Sequence, residues 1–154
     1  MSYRILDEPG PSALARVTVN PIWPLLASML AGSWLAWPWF ALNSLSLGVS
    51  RRLYVDLGLI AAGFVATLLA ISTLELLLAD AILDERGVRY AWLVPHAVRL
   101  TLLYVVFMRQ ERTFQLFEHF GGKPANGMMP LLAGVLARTV VLSSVPKAWV
   151  PYLV

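Results

Sequence analysis

The chain has 154 residues, 58% hydrophobic and 14% charged, with a mean hydropathy of +0.69. Soluble proteins average about 45–50% apolar and about 25% charged residues, and a small one needs a polar skin because its surface is large relative to its core, so this composition excludes an ordinary water-soluble domain. The net charge is +3 and there is no cysteine, which excludes disulfides, thiolate metal sites, a cysteine nucleophile and a lipidated cysteine.

A basic balance raises the question of nucleic acid. The longest basic run is Arg51-Arg52, too short for a phosphate-tracking patch, so no nucleic-acid partner is expected. Ten arginines against two lysines is a usage associated with GC-rich bacterial genomes, and it carries the expectation of a bacterial inner-membrane protein.

Residues 1–20 read as a polar tail at the membrane surface. Asp7 and Glu8 stand where a signal peptide would have a basic and then an apolar region, so the first apolar run is expected to be retained as a membrane segment. That run, residues 21–48, exceeds the roughly 20 residues a spanning helix needs. Pro38 removes a backbone donor and crowds the carbonyl of Trp34, so a kink is expected there. Trp34, Trp37, Trp39 and Phe40 cluster around it and read as an interfacial belt or lipid-facing packing.

The second segment, residues 53–79, is the cleanest span. Gly58, Ala62, Ala66 and Ala70 recur every four residues and form a face on which another helix can pack closely. Ser28, Gly32 and Ala36 form a matching row in the first segment, so the two are predicted to pair as an antiparallel hairpin. Asp56, near Arg51 and Arg52, reads as a carboxylate complementing the start of the second helix. A polar connection with Asp80, Asp84, Glu85, Arg86 and Arg89 follows, read as a solvated loop.

The third segment, residues 90–108, is the weakest because it holds Pro95, His96 and Arg99. Beyond it Phe114, Phe117 and Phe120 share one helical face, predicting a short amphipathic interfacial helix, most simply an extension of the third helix, that meets lipid or a partner groove. The fourth segment covers residues 128–145, with Arg138 inside. The tail carries the anchor types Trp149 and Tyr152. Lys and Arg tie at five on each side of the membrane, so charge assigns no orientation.

The predicted fold is therefore all-α, a single membrane domain formed as a four-transmembrane-helix bundle. Its chemistry-bearing residues are the ionisable ones at membrane depth, each costing roughly 2.5–3.5 kcal/mol near a helix centre. At 1.5 Å rise per residue, Glu75, Arg99 and Arg138 fall in one layer roughly 7–14 Å from one surface, bordered by Asp80 and His96. Glu75 is expected to link the arginines and hold three helices in register. Alternatively, two arginines facing one glutamate leave a surplus charge for an anionic head group or substrate. A lone His96 gives no haem or pigment site, and no metal or other cofactor is expected.

No HExxH, GxSxG or Walker sequence is present, so no catalytic residue is assigned and a non-enzymatic role is expected. That role is a subunit or scaffold of a membrane complex, partnered by the lipid bilayer and by other membrane subunits or further copies of itself. The alternative is a small transporter or channel-like unit using the Glu75/Arg99/Arg138 layer.

Overall fold

A computed structural model describes residues 14–48, 50–79 and 85–153. Among them the chain is all-helical, with no strand and one isolated bridge between Val19 and Ala125. The helices are α1 (Ile22–Leu30), α2 (Ser33–Leu47), α3 (Ser50–Ala79), α4 (Glu85–Ala91), α5 (Leu93–His119), α6 (Met128–Ser144) and α7 (Val150–Leu153). Single 3-10 turns, Ala15–Val17 and Lys147–Trp149, precede α1 and α7.

Two stretches, Leu53–Ala79 and Arg86–His119, are long and apolar enough to cross a membrane by length and composition. Met128–Ser144 is apolar but has 17 residues. The first apolar segment is not one helix. It divides into α1, of nine residues, and α2, of fifteen, each short of the roughly 20 that cross a bilayer.

The break lies at Ala31–Gly32, not at Pro38, which α2 runs through. Gly32 has φ +117° and ψ 173°, a region essentially restricted to glycine. A helix end must satisfy its last carbonyls, and here those of Ala27, Leu30 and Ala31 are met within the chain. Ala31 and Gly32 N–H groups both donate to Ala27 O, at 2.9 Å. Arg138 Nη1 donates to Leu30 O at 3.1 Å, and Trp34 Nε1 to Ala31 O at 2.8 Å. A Cβ on Gly32 would also lie 2.5 Å from the Leu153 carbonyl oxygen. The C-terminal turn is thus seated on the break, where Ser33 Oγ donates to Tyr152 O at 2.9 Å.

Helices α3 and α5 make the most extensive contact in the fold. They run antiparallel: Asp56 meets Arg109 at one end, Gly63 lies against Leu102, and Thr67 and Ile71 share a cleft with Pro95 and Arg99 towards the other. Helix α2 lies across them, with Ala36, Trp37 and Phe40 joining Ile60, Leu103 and Val106 in one buried cluster. Helix α6 packs chiefly on α1, where Ala27, Trp39 and Leu131 form a second cluster with Val19.

The first and second segments do pack against each other, but not through the expected small-residue ladder. The buried residues of α3 are Asp56, Ile60, Gly63, Thr67, Ile71 and Leu74, a row offset from the ladder. Gly58 and Ala62 are exposed, and Ala66 and Ala70 are half-buried. Ser28, Gly32 and Ala36 are buried as expected for a packing row. The register is set instead by Trp37, whose ring covers Gly63 so closely that an added Cβ would sit 2.5 Å from its Cη2. Trp37 and Trp39 are accordingly core residues and not a lipid-facing belt.

This packing predicts opposite effects for two glycines of one helix. Gly63→Ala forces the Trp37 ring to move and is expected to cost about 1–3 kcal/mol, the range for overpacked cores. At Gly58 nothing lies within 4 Å of an added Cβ, so Gly58→Ala is expected to stabilise by up to about 1 kcal/mol through helix propensity alone. Thermal unfolding of both variants in detergent micelles measures the difference, and a loss at Gly58 equal to that at Gly63 would restore the ladder as the packing face.

Candidate functional site

Polar side chains gather at the two ends of the α3–α5 pair, and the two groups differ in how completely they are satisfied. At the Asp56 end, Arg109 Nε donates to Asp56 Oδ1 at 2.8 Å, the one ion pair among the described residues. Asp56 therefore pairs with α5. Next to Arg109 on α5, Gln110 is fully buried, and Asn43, its partner on α2, is 2% exposed.

Every amide position that faces protein there has a partner. Gln110 Nε2 donates to Phe40 O and to Ser44 Oγ, both at 2.7 Å. Gln110 Oε1 accepts from Asn43 Nδ2 at 3.0 Å, and Asn43 Oδ1 accepts from the Val19 N–H at 3.0 Å. Val19 belongs to the segment whose Thr18 carbonyl accepts from the Ala125 N–H at 2.7 Å. One chain of bonds therefore links α5, α2, the segment before α1 and the loop before α6. Buried amides cost stability unless paired, and here the pairing joins four parts of the fold.

The opposite end carries the residues that sequence reasoning singled out. Glu75 is exposed on α3 and accepts from the Tyr152 hydroxyl at 3.0 Å, which also lies 3.3 Å from Ser72 Oγ. Arg138 spends a guanidinium N–H on the end of α1. His96 is exposed, and its Nδ1 lies 2.9 Å from its own helix's Trp92 carbonyl. Asp80 lies outside the described residues. Arg99 is 7% exposed; its Nε is enclosed without an acceptor, and it forms no ion pair or hydrogen bond.

The expected Glu75-centred ion layer is therefore not formed. Glu75 lies one position beyond the buried row that ends at Leu74, about 100° around the helix, and so faces away from α5. The C-terminal turn supplies its partner instead. Arg99 and Arg138 remain close enough for the charge of Arg138 to act on Arg99.

The Phe114–Phe120 stretch continues the third segment as the last turns of α5, closed by Phe120, Gly121 and Gly122 N–H groups donating to Leu116, Glu118 and Phe117 carbonyls. Phe114 and Phe117 pack inside the chain with Leu47 and Ala15, while Phe120 is 48% exposed. Two of the three aromatics expected to meet lipid or a partner are thus internal contacts.

Truncating the buried amide node is expected to be expensive. Gln110→Leu leaves Asn43 Nδ2 and Ser44 Oγ without their partner, at about 1–3 kcal/mol for buried groups left unpaired. Gln115→Leu, which removes only an exposed contact to Glu111, is expected to change stability by less than about 0.5 kcal/mol. Unfolding of both variants in detergent checks the contrast, and a double-mutant cycle between Asn43→Ala and Gln110→Ala should show non-additive losses. The chain matches no family model, and comparison with curated proteins and with solved structures found no match.

Proposed function

We propose that the protein is a small integral membrane protein, a helical bundle that serves as a non-enzymatic subunit or scaffold of a membrane assembly in the bacterial inner membrane. The observation that carries this is how little of its most apolar sequence the fold buries. Of the most apolar 18-residue window in Leu53–Ala79 only 28% is buried, and in Arg86–His119 only 22%. A core helix of a water-soluble protein buries most of such a window. Here Phe64, Val65 and Leu69 of α3 and Tyr104, Val105 and Met108 of α5 are exposed, as lipid-facing residues would be.

Support for a subunit role comes from α6. Its buried residues are Leu131 and Gly134, while Met129, Leu136 and Val140 are 71%, 79% and 66% exposed. A helix of 17 residues held on one side is suited to receive a neighbour on the other. The polar groups favour structure over chemistry: the amide node and the Asp56–Arg109 pair join elements of the same chain. The alternative of a transport unit rests on a joined Glu75/Arg99/Arg138 layer, and Glu75 is engaged elsewhere.

The membrane part is tested by washing host membranes at high pH. The chain is expected to stay in the pellet and to need detergent for release; release without detergent would overturn it. The subunit part is tested by mild-detergent purification from the host followed by mass spectrometry. The expected outcome is a membrane protein partner, or further copies of the chain, at fixed stoichiometry, and Leu136→Trp on the open face of α6 should reduce its recovery. A purely monomeric species from both wild type and variant would argue against a scaffold.

A further inference from the structure

Arg99 is the one charged side chain that the fold encloses without a partner among the described residues. An isolated buried charge is among the costliest things a protein can carry, and it persists where something outside the chain neutralises it. Arg99 lines a narrow cleft between α3, α5 and the C-terminal turn, together with Thr67, Ile71, Pro95, His96 and Pro151. The cleft is about 10 Å³, room for a single oxygen-sized group. The Thr67 hydroxyl donates to Gly63 O at 2.8 Å, so its proton is committed and the donors the cleft offers an anion are those of Arg99. The second cation, Arg138, reinforces the positive field at Arg99 and has one guanidinium N–H committed, to Leu30 O.

His96 also lines the cleft, its Nδ1 2.9 Å from the Trp92 carbonyl, and the nearest described carboxylate on α3, Glu75, is turned towards Tyr152. No carboxylate among the residues lining the cleft competes with an incoming anion. Guanidinium groups bind phosphate oxygens with paired, charge-assisted hydrogen bonds. Arg99 lies two turns beyond Trp92 on α5, about 10 Å along the axis at 1.5 Å per residue. Trp149 and Tyr152 stand at the same end, aromatic types that favour the head-group region. An anionic group at the mouth of the cleft would be within reach of a long arginine side chain.

We propose that Arg99 is a binding site for a phosphate-bearing anion, one oxygen of which enters the cleft against the unpartnered Arg99 guanidinium. The phosphate comes either from the head group of an anionic phospholipid or from a soluble phosphate. The lipid source rests on the membrane reading given above, whereas binding of inorganic phosphate does not, so the two fail separately.

The test uses the full chain, delipidated in a neutral detergent. It is titrated with dihexanoyl phosphatidylglycerol in one arm and inorganic phosphate in the other, following the thermal midpoint and, for the lipid, the bound mass by native mass spectrometry. Stabilisation by the lipid but not by phosphate identifies the head group; stabilisation by phosphate alone identifies the soluble source. In either case Arg99→Gln is expected to weaken binding at least about tenfold, as loss of a charge-assisted contact does, and Arg138→Gln less. Arg112→Gln, exposed at the far end of α5, should bind as wild type does. Without ligand, Arg99→Gln is expected to raise the midpoint by a few degrees, because it removes an unpaired charge. Absence of stabilisation by either anion in the wild type, or unchanged binding in Arg99→Gln, overturns the proposal. So does a ligand-free Arg99→Gln protein that unfolds earlier than wild type, since that outcome means the charge already has a partner within the chain.

Discussion

Gln110 sits where α5 passes α2, and it commits both amide hydrogens and one carbonyl lone pair inside the protein. A primary amide in an apolar interior tolerates few positions, because each displaced bond leaves a polar atom dry. That constraint fixes the axial and rotational setting of α2 against α5 at one point. Once it is fixed, Trp37, two turns back along α2, falls against Gly63, an α3 position that has no side chain. The apolar cluster of Ala36, Phe40, Ile60, Leu103 and Val106 then closes around the Trp37 ring. Dispersion and burial supply the bulk of the stability, but such contacts are nearly indifferent to small slips. The directional bonds of Gln110 and Asn43 choose one register from several that would bury similar area.

The bond chain continues through Asn43 to Val19 and through Thr18 to Ala125. Neither partner is part of a long helix. The segment before α1 and the loop before α6 are short pieces with backbone groups to satisfy, and the node satisfies them against a rigid support. This explains why α6 can be held with so few buried side chains of its own: its entry is anchored at Ala125 by a backbone bond, and its middle by Arg138 on the end of α1. Arg138 thus belongs to the architecture before it belongs to any site.

Composition and periodicity made the helical class, the positions of the long α3 and α5 stretches and the α2–α3 pairing legible. The break at Gly32 was not. Proline is a visible local signal, whereas the break at Gly32 is bound up with groups remote in the chain: the Leu153 carbonyl, which a Cβ there would meet, and the Arg138 guanidinium, which caps α1. The Gly58–Ala70 ladder was misleading for a related reason. A four-residue spacing drifts around a 3.6-residue helix, and a large aromatic seeking a hole selects a single glycine, here Gly63, which no repeat announces. Among the polar residues, a depth argument confined to formal charges passed over Asn43 and Gln110. Neutral amides are cheaper in lipid than ions, yet they form the better-connected site because each both donates and accepts. Depth alone also could not orient Glu75, which shares a layer with Arg99 but not a face.

The two ends of the α3–α5 pair then carry different physical meanings. At the Asp56 end an acid on one helix meets a base on the other, and the buried amides beside them are paired. At this end the amides and the carboxylate spend their hydrogen bonds within the chain. At the Arg99 end the base has no acid among the described residues, and the described carboxylate on that part of α3, Glu75, is drawn off by Tyr152. A helix pair of this kind is held in register at one end and leaves unbalanced charge at the other. Were the imbalance merely tolerated, a neutral side chain at position 99 would be the better solution, since it would avoid the desolvation cost and pack as well. An arginine enclosed beside a second arginine is instead the arrangement that an anion from outside the chain stabilises most, by supplying the counter-charge that the fold lacks.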